Sequence, residues 1–233
     1  MELSARLETV AKMVTKGNRV CDVGCDHGYI SIYLVKNDIS PFVYAMDVNI
    51  GPLERAKEHI VEYGLENQIE TILSDGLCSL KERESDALIC AGMGGKLVIK
   101  ILTEGMDKVR KMKELILQPQ SEIHFVRAFL REQGCFSDRE DMVLEDGKFY
   151  PIMHVLVSSK EKNAENPVFD KFGERLLLDK HPVLLQYLVY TKNTLDEIEK
   201  RLSREEKTDK IKERLLELKK QQTEVEDAIK YFH

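Results

Sequence analysis

The chain has no cysteine framework, no apolar run of bilayer length and no excess of basic charge, and each absence removes a class of function. Its five cysteines are an odd number without the paired spacing of a metal site. Cys21 and Cys90 lie in apolar, strand-like runs, so buried thiols in a reducing compartment are expected, with neither a disulfide framework nor a metal. No stretch approaches the roughly twenty apolar residues that span a bilayer. The segment Met1-Glu2-Leu3-Ser4-Ala5-Arg6 carries no apolar signal region, so a cytoplasmic protein with no membrane partner is expected. The net charge of −6 excludes a general nucleic-acid coat, because phosphate binding needs clustered Lys and Arg. Any RNA contact must come from local patches. The 233 residues, 42% hydrophobic and 33% charged, suit one sizeable soluble domain with an appendage.

The most informative segment is Arg19-Val20-Cys21-Asp22-Val23-Gly24-Cys25-Asp26-His27-Gly28. An apolar strand ends at Asp22, a turn uses Gly24 and Gly28 to bring backbone close to a ligand, and a helix begins with its positive end facing that ligand. A dinucleotide fingerprint needs a glycine at position 26 so that backbone can touch a pyrophosphate; aspartate stands there instead. Asp22 and Asp26 repel an anionic pyrophosphate and suit the sulfonium and ammonium groups of S-adenosylmethionine. The missing glycine and the acidic loop argue against a nicotinamide-dependent oxidoreductase. Asp47, about twenty residues past the loop, follows Phe42-Val43-Tyr44-Ala45-Met46 and is placed for ribose hydroxyls. The competing reading is a tight strand-to-helix turn without a ligand.

The organisation is a βαβ rhythm. Leu3, Leu7, Val10, Ala11 and Val14 recur at helical spacing before Gly17. Helices follow at Tyr29–Asn37 and Gly51–Tyr63, with strands at Phe42–Met46, Ile69–Leu73, Ala87–Ala91 and Leu115–Gln118. Further helices are expected from Lys96 and over Ile123–Gln133. Near-continuous apolar strands imply a parallel sheet covered on both faces. Strands near Asp141–Leu144 and Phe149–Val157 leave no room for a helix between them, so they pair as a hairpin. The predicted fold is an α/β, doubly wound, mostly parallel seven-stranded sheet like that of class I methyltransferases, in a domain over residues 1–160. Residues 161–233 form the appendage. There Leu188, Leu195 and Leu202, then Ile211, Leu218, Val225 and Phe232, stand seven apart. Ser203–Asp209 can reverse the chain, with Thr208 or Asp209 as cap, into a coiled-coil-like hairpin; one continuous helix is the alternative. A monomer is expected, with a homodimer through these heptads kept open.

Chemistry-bearing residues gather at the carboxyl ends of the strands. Asp75 in Ser74-Asp75-Gly76 can accept from an adenine amino group, or Asp75 and Gly76 simply form the turn. Gly92-Met93-Gly94-Gly95 ends the fourth strand with backbone able to approach an acceptor, or serves only the turn. Gln118-Pro119-Gln120 lines the same edge. His27 and Tyr29 face the cofactor loop, where a lone histidine is more often a packing or hydrogen-bonding group than a base. No Ser-His-Asp or Cys-His arrangement is present.

Together Leu3-Ser4-Ala5-Arg6-Leu7, Asp22 to Tyr29, Ala91-Gly92-Met93-Gly94-Gly95, Leu117-Gln118-Pro119-Gln120 and Glu145 to Pro151 resemble the bacterial tRNA adenine-N1 methyltransferase family TrmK, as does the helical appendage. The resemblance implies methyl transfer from S-adenosylmethionine to N1 of adenosine 22 in the D arm of tRNA. On this reading Asp22, Gly24, His27, Gly28, Asp47, Asp75 and Gly76 bind the cofactor. Asp26, Gly92, Met93 and Gly94 serve the reaction, and Arg6, Tyr29, Gln118 and Pro119 meet the substrate. The base must be extruded at a cost of a few kcal/mol, so phosphate contacts are expected from Arg6, the Lys108-Arg110-Lys111-Lys113 cluster, Arg127 with Arg131, and the appendage. The alternatives are a small-molecule methyltransferase, which needs no such appendage, and a non-catalytic cofactor- or RNA-binding adaptor.

Overall fold

The computed structural model describes residues 2–80, 85–205 and 208–233; Glu206 and Lys207 of the expected chain reversal lie outside them. The chain divides into two compact units, Met1–Asn163 and Ala164–His233. The first runs α1 (Ala5–Met13), β1 (Val20–Val23), α2 (Tyr29–Lys36), β2 (Val43–Asp47), α3 (Ile50–Glu62), β3 (Ile69–Leu73), β4 (Ala87–Gly94), α4 (Gly95–Glu104), α5 (Met106–Val109), β5 (Glu114–Ser121), α6 (Ile123–Glu132), β6 (Phe136–Glu145) and β7 (Lys148–Leu156). The strands form one seven-stranded sheet ordered β3-β2-β1-β4-β5-β7-β6. β1 to β5 are parallel, and β7 runs antiparallel to both β5 and β6. The order reverses between β1 and β4, which makes their carboxyl ends the switch point where ligands bind in such sheets.

Alternation along each strand separates two cores. Val20, Ala45, Ile89 and Ile116 pack with Val10 and Ala11 of α1, Ile32 and Leu34 of α2, and Ala56 and Ile60 of α3. Their neighbours Cys21, Met46, Leu88 and Leu115 pack with Val98 and Leu102 of α4 and Val126 and Leu130 of α6. Ile89 and Leu115 are both 0% exposed, so cutting either to alanine costs about 2–5 kcal/mol. This double cover holds the loops at the switch point rigidly. The hairpin is longer than its apolar pattern suggested: β6 begins at Phe136 and carries Ser137-Asp138-Arg139-Glu140-Asp141. An edge strand tolerates such polar residues because one of its sides faces no neighbour. The short helix α5 also gave no sequence signal.

At the amino edge of the sheet a polar cluster is closed on itself. Glu114, at the start of β5, accepts from the Thr15 backbone N–H at 2.9 Å and from the Thr15 hydroxyl. His154 of β7 donates from Nε2 to Glu114 at 2.9 Å and from Nδ1 to Asp138. The pairing register of β6 skips from Ser137 to Arg139, and this bulge aims Asp138 at the ring. Burial alone would raise the Glu114 carboxyl, but the hydrogen bonds from His154 and Thr15 outweigh it and bring the pKa down to about 2. Burial likewise works against the imidazolium, yet the two carboxylates raise His154 above its ordinary value.

The second unit comprises α7 (Pro167–Phe172), α8 (Glu174–Leu178), α9 (Pro182–Leu202), α10 (Asp209–Ile229) and a 3₁₀ turn at Lys230–Phe232. The side chain of Asn166 accepts from Val168 N–H at 2.9 Å and caps α7; Thr208 does the same for α10 through Ile211 N–H. The appendage therefore contains two long helices, not one. Leu188 and Leu195 of α9 and Leu218 and Val225 of α10 are buried. Gln222 donates to Asp196 at 2.9 Å, and Lys192 pairs with Glu226 at 3.1 Å. One partner's number rises as the other's falls, so the helices are antiparallel. Among the described residues no helix is long and apolar enough to cross a membrane.

Candidate active site

The loop after β1 alternates into the left-handed region, with φ of 77° at Gly24, 47° at Asp26 and 72° at Gly28. Glycine tolerates this freely and aspartate better than most residues. Gly28 then starts α2, and a Cβ there would stand 3.2 Å from the Cβ of Ala56 on α3. Gly24 faces the end of β4: a Cβ on it would come within 2.3 Å of the Met93 methyl. His59 of α3 donates from Nδ1 to the His27 carbonyl at 2.9 Å. The rings of His27, Tyr29 and His59 form a mutual cluster with centroids 5.2–5.8 Å apart.

Across the cleft, β4 departs from regular pairing. Its register with β5 shifts between Ala91 and Met93, and Gly92 sits at φ 81°. The bulge takes the Gly92 N–H out of the ladder, and the Gln118 side-chain oxygen accepts it at 3.1 Å. The same oxygen accepts Arg6 Nη1 at 2.9 Å. Arg6 is further held by Glu145, which accepts its backbone N–H at 3.1 Å, and by the Tyr150 ring, 5.4 Å from the guanidinium. Gly95, at the start of α4, allows close packing: a Cβ would meet the Ser121 carbonyl at 2.5 Å.

Between these two turns lies a cavity of ≈360 Å³ lined by Arg6, Leu7, Asp22, Gly24, Cys25, Asp26, His27, Tyr29, Ile30, Ala91, Gly92, Met93 and Gln120. Eight of the residues singled out from sequence meet there: Arg6, Asp22, Gly24, Asp26, His27, Tyr29, Gly92 and Met93. Gly28 and Gly94 stand just behind the wall as the residues that open α2 and α4. Asp47 ends β2 and accepts the Asn49 N–H at 2.9 Å. Asp75 lies farther out, 3.7 Å from Lys100. A Cβ on Gly76 would stand 3.2 Å from the Ile101 side chain.

Several of the predicted contact residues are engaged within the fold. Gln118 and Pro119 are buried within β5, and it is Gln120 that is exposed and lines the cavity. Gln118 supports the wall through its hydrogen bonds to Arg6 and Gly92. Arg127, expected at a phosphate, is 9% exposed and pairs with Glu140 at 2.8 Å. Lys108 donates to the carbonyls of Leu77 and Cys78, and Lys113 pairs with Asp86. Ile30, which also lines the cavity, lies outside every motif read from the sequence and is an ordinary apolar residue until the fold brings it there.

Burial pushes the Asp22 carboxyl up to about 6; the charge of Asp47 adds to the rise, and a hydrogen bond from Ser31 opposes it. A carboxylate held this way is short of a cation. Asp26, at the mouth, is paired loosely, with Arg55 at 3.5 Å and His27 at 3.7 Å. Nδ1 of His27 is buried without a hydrogen-bond partner among the described residues. Burial also raises the Cys25 thiol far above its usual value, which leaves it protonated and unreactive. Two carboxylates, an orphaned imidazole nitrogen and a glycine notch fit a small molecule that carries positive charge and polar groups. They do not fit a pyrophosphate. Among the described residues no cluster of His, Cys, Asp or Glu could hold a metal ion.

The strand order, the antiparallel β7 and the acidic glycine loop at the switch point define a Rossmann-like methyltransferase, and residues 3–153 match the family described as a methyltransferase domain. A Bacillus subtilis tRNA (adenine(22)-N(1))-methyltransferase is 31% identical over 220 residues, covering 91% of this chain and 92% of its own. A Streptococcus pneumoniae protein solved in complex with S-adenosyl-L-methionine aligns with a TM-score of 0.87 at 28% identity over 100% of both chains. The TrmK of M. capricolum, solved with S-adenosyl-homocysteine, aligns with a TM-score of 0.86 at 25% identity over 100% of both chains. The chain belongs to the tRNA (adenine(22)-N(1))-methyltransferase family.

Proposed function

We propose that this protein transfers a methyl group from S-adenosylmethionine to N1 of adenosine 22 in tRNA. The observation that carries the reading is the facing of the Asp22–Gly28 loop and the Gly92 bulge across one cavity. When bound, S-adenosylmethionine supplies an electrophilic methyl carbon on a cationic sulfur. Asp22, Gly24, His27 and Gly28 would hold it, with Asp47 and Asp75 at its adenosine end. The adenine N1 is largely unprotonated at neutral pH and brings its own lone pair, so the protein need not supply a general base. Its task is alignment and exclusion of water. Gly92, Met93 and Gly94 form the wall against which the base is set, and Tyr29 adds an exposed ring beside it. The product base is cationic, and the exposed Asp26 carboxylate offsets that charge as it develops.

We assign the transfer chemistry to residues 1–160 and added tRNA contact to the helices in 161–233, in a monomeric cytoplasmic protein. The test is incubation of the purified chain with unmodified tRNA and methyl-labelled S-adenosylmethionine, with nucleoside mass spectrometry and mapping of the product. Labelled 1-methyladenosine at position 22 is the expected result. Binding of tRNA without transfer would overturn the reading in favour of an adaptor.

A further inference from the structure

We propose that Gln120 is the side chain that reads the target base, its carboxamide meeting the N6 and N7 edge of adenine while N1 stays open to the methyl. This rests on the adenine-N1 methyltransferase reading given above. An enzyme that alkylates N1 cannot recognise its base through N1, because that lone pair must be free. What remains for recognition is the exocyclic amino group, a donor, and N7, an acceptor, side by side on the other edge of the ring. A carboxamide presents an acceptor and a donor at matching spacing, the bidentate pairing by which Gln and Asn distinguish adenine. Guanine carries acceptors at both O6 and N7, so one of them faces the carboxamide oxygen whichever way the amide is turned.

The geometry singles out Gln120. It lies two residues beyond Gln118 on β5, where the pairing with β4 steps from Pro119 to Ser121 and passes over Gln120. Its Nε2 stands 3.8 Å from where a Cβ on Gly92 would be, which places the carboxamide beside the turn that walls the cavity. The charged groups on the cavity wall are engaged, Arg6 by Gln118 and Glu145, Asp22 by Ser31, and Asp26 by Arg55 and His27, and the unpartnered His27 Nδ1 lies in the cofactor loop across the cavity from Gly92. The Gln120 carboxamide makes no hydrogen bond among the described residues, so both of its ends are available. Division of labour follows along β5: Gln118 fixes the turn, and Gln120 meets the base.

The experiment compares two tRNAs, one with adenosine and one with 7-deazaadenosine at position 22, using the full-length protein and its Gln120→Ala and Gln120→Glu variants. Wild type is expected to lose about tenfold in kcat/KM when N7 is replaced by C–H. Gln120→Ala should lose at least about tenfold on the natural tRNA and nothing further on the deaza tRNA. Gln120→Glu keeps an acceptor for the amino group but opposes the N7 lone pair, so it should prefer the deaza tRNA. Calorimetric binding of S-adenosylmethionine should be the same in all three proteins, which also shows that the variants fold. Equal activity of wild type on both tRNAs, or an equal deaza penalty in wild type and Gln120→Ala, would overturn the proposal. A wild type that makes no 1-methyladenosine on the natural tRNA would instead overturn the function on which it rests.

Discussion

The two ends of the sheet treat polar groups in opposite ways. At the amino edge Glu114, Thr15, His154 and Asp138 satisfy one another in a closed cluster, with His154 and Glu114 each 2% exposed. At the carboxyl edge the groups are left incompletely matched: Asp22 has donors from Ser31 alone, through its hydroxyl and its backbone N–H, His27 Nδ1 has none among the described residues, and Asp26 has only a loose pairing. A buried polar group that is saturated locks the fold, and one that is short of partners costs stability until a ligand arrives. Each group at the second edge is placed where a cationic cofactor or a base could complete it.

The largest effect that would break this contrast is Glu114→Ala. It leaves a buried imidazolium and a threonine without their acceptor, and removal of one partner of a buried pair costs roughly 3–5 kcal/mol. Urea unfolding should show it, with cofactor affinity of the folded protein unchanged. The pH dependence follows from the shifts. The contribution of Glu114, with its ordinary 4.5 lowered to about 2, is present above 4.5 and is lost as pH falls toward 2. That of His154, raised above its ordinary 6.5, is complete below 6.5 and is lost as pH rises through the raised value.

A smaller effect of opposite sign is expected at Asp22, whose raised value makes the unliganded fold less stable as pH rises from 3.8 to about 6. Cofactor binding needs the ionised form, so affinity should fall about tenfold per pH unit below 6. Calorimetry from pH 5 to 8 checks this, and Asp22→Asn should bind weakly with no such slope. Smallest of all is Lys96→Ala. Lys96 pairs with Glu122 at 2.9 Å, but its side chain is 81% exposed, and exposed pairs contribute little. The melting temperature should stay where it is, which sharpens the distinction between a charge pair at a surface and one inside the sheet.

The carboxyl edge was largely legible in the sequence because its residues sit in short glycine-rich loops directly after apolar strands, as at Asp22–Gly28 and Gly92–Gly95. Which residue of Gln118-Pro119-Gln120 faces the cavity was not legible. It depends on a bulge in β4 that shifts the register of β5, and nothing in either strand's own residues announces it. Arg127 looked like a phosphate ligand because its partner, Glu140, lies on an edge strand whose polar run gave no strand signal. The Glu114 and His154 cluster was silent for the same reason: each residue is a lone polar group in an apolar strand, and only the antiparallel pairing of β5 with β7 brings them together.

The strand order also sets the sequence of events during folding. The β6–β7 hairpin joins Glu145 to Lys148 and needs only a local turn, so it forms on the microsecond scale. The two walls of the cavity are different: β1 and β4 pair Val20 with Ala87, so the cavity exists only after a long loop has closed. The cavity is therefore expected to form after the hairpin, an order that pulse-labelled hydrogen exchange during refolding checks. Cofactor added to the unfolded chain has nothing to bind early on, and it acts by keeping the finished fold rather than by hastening it.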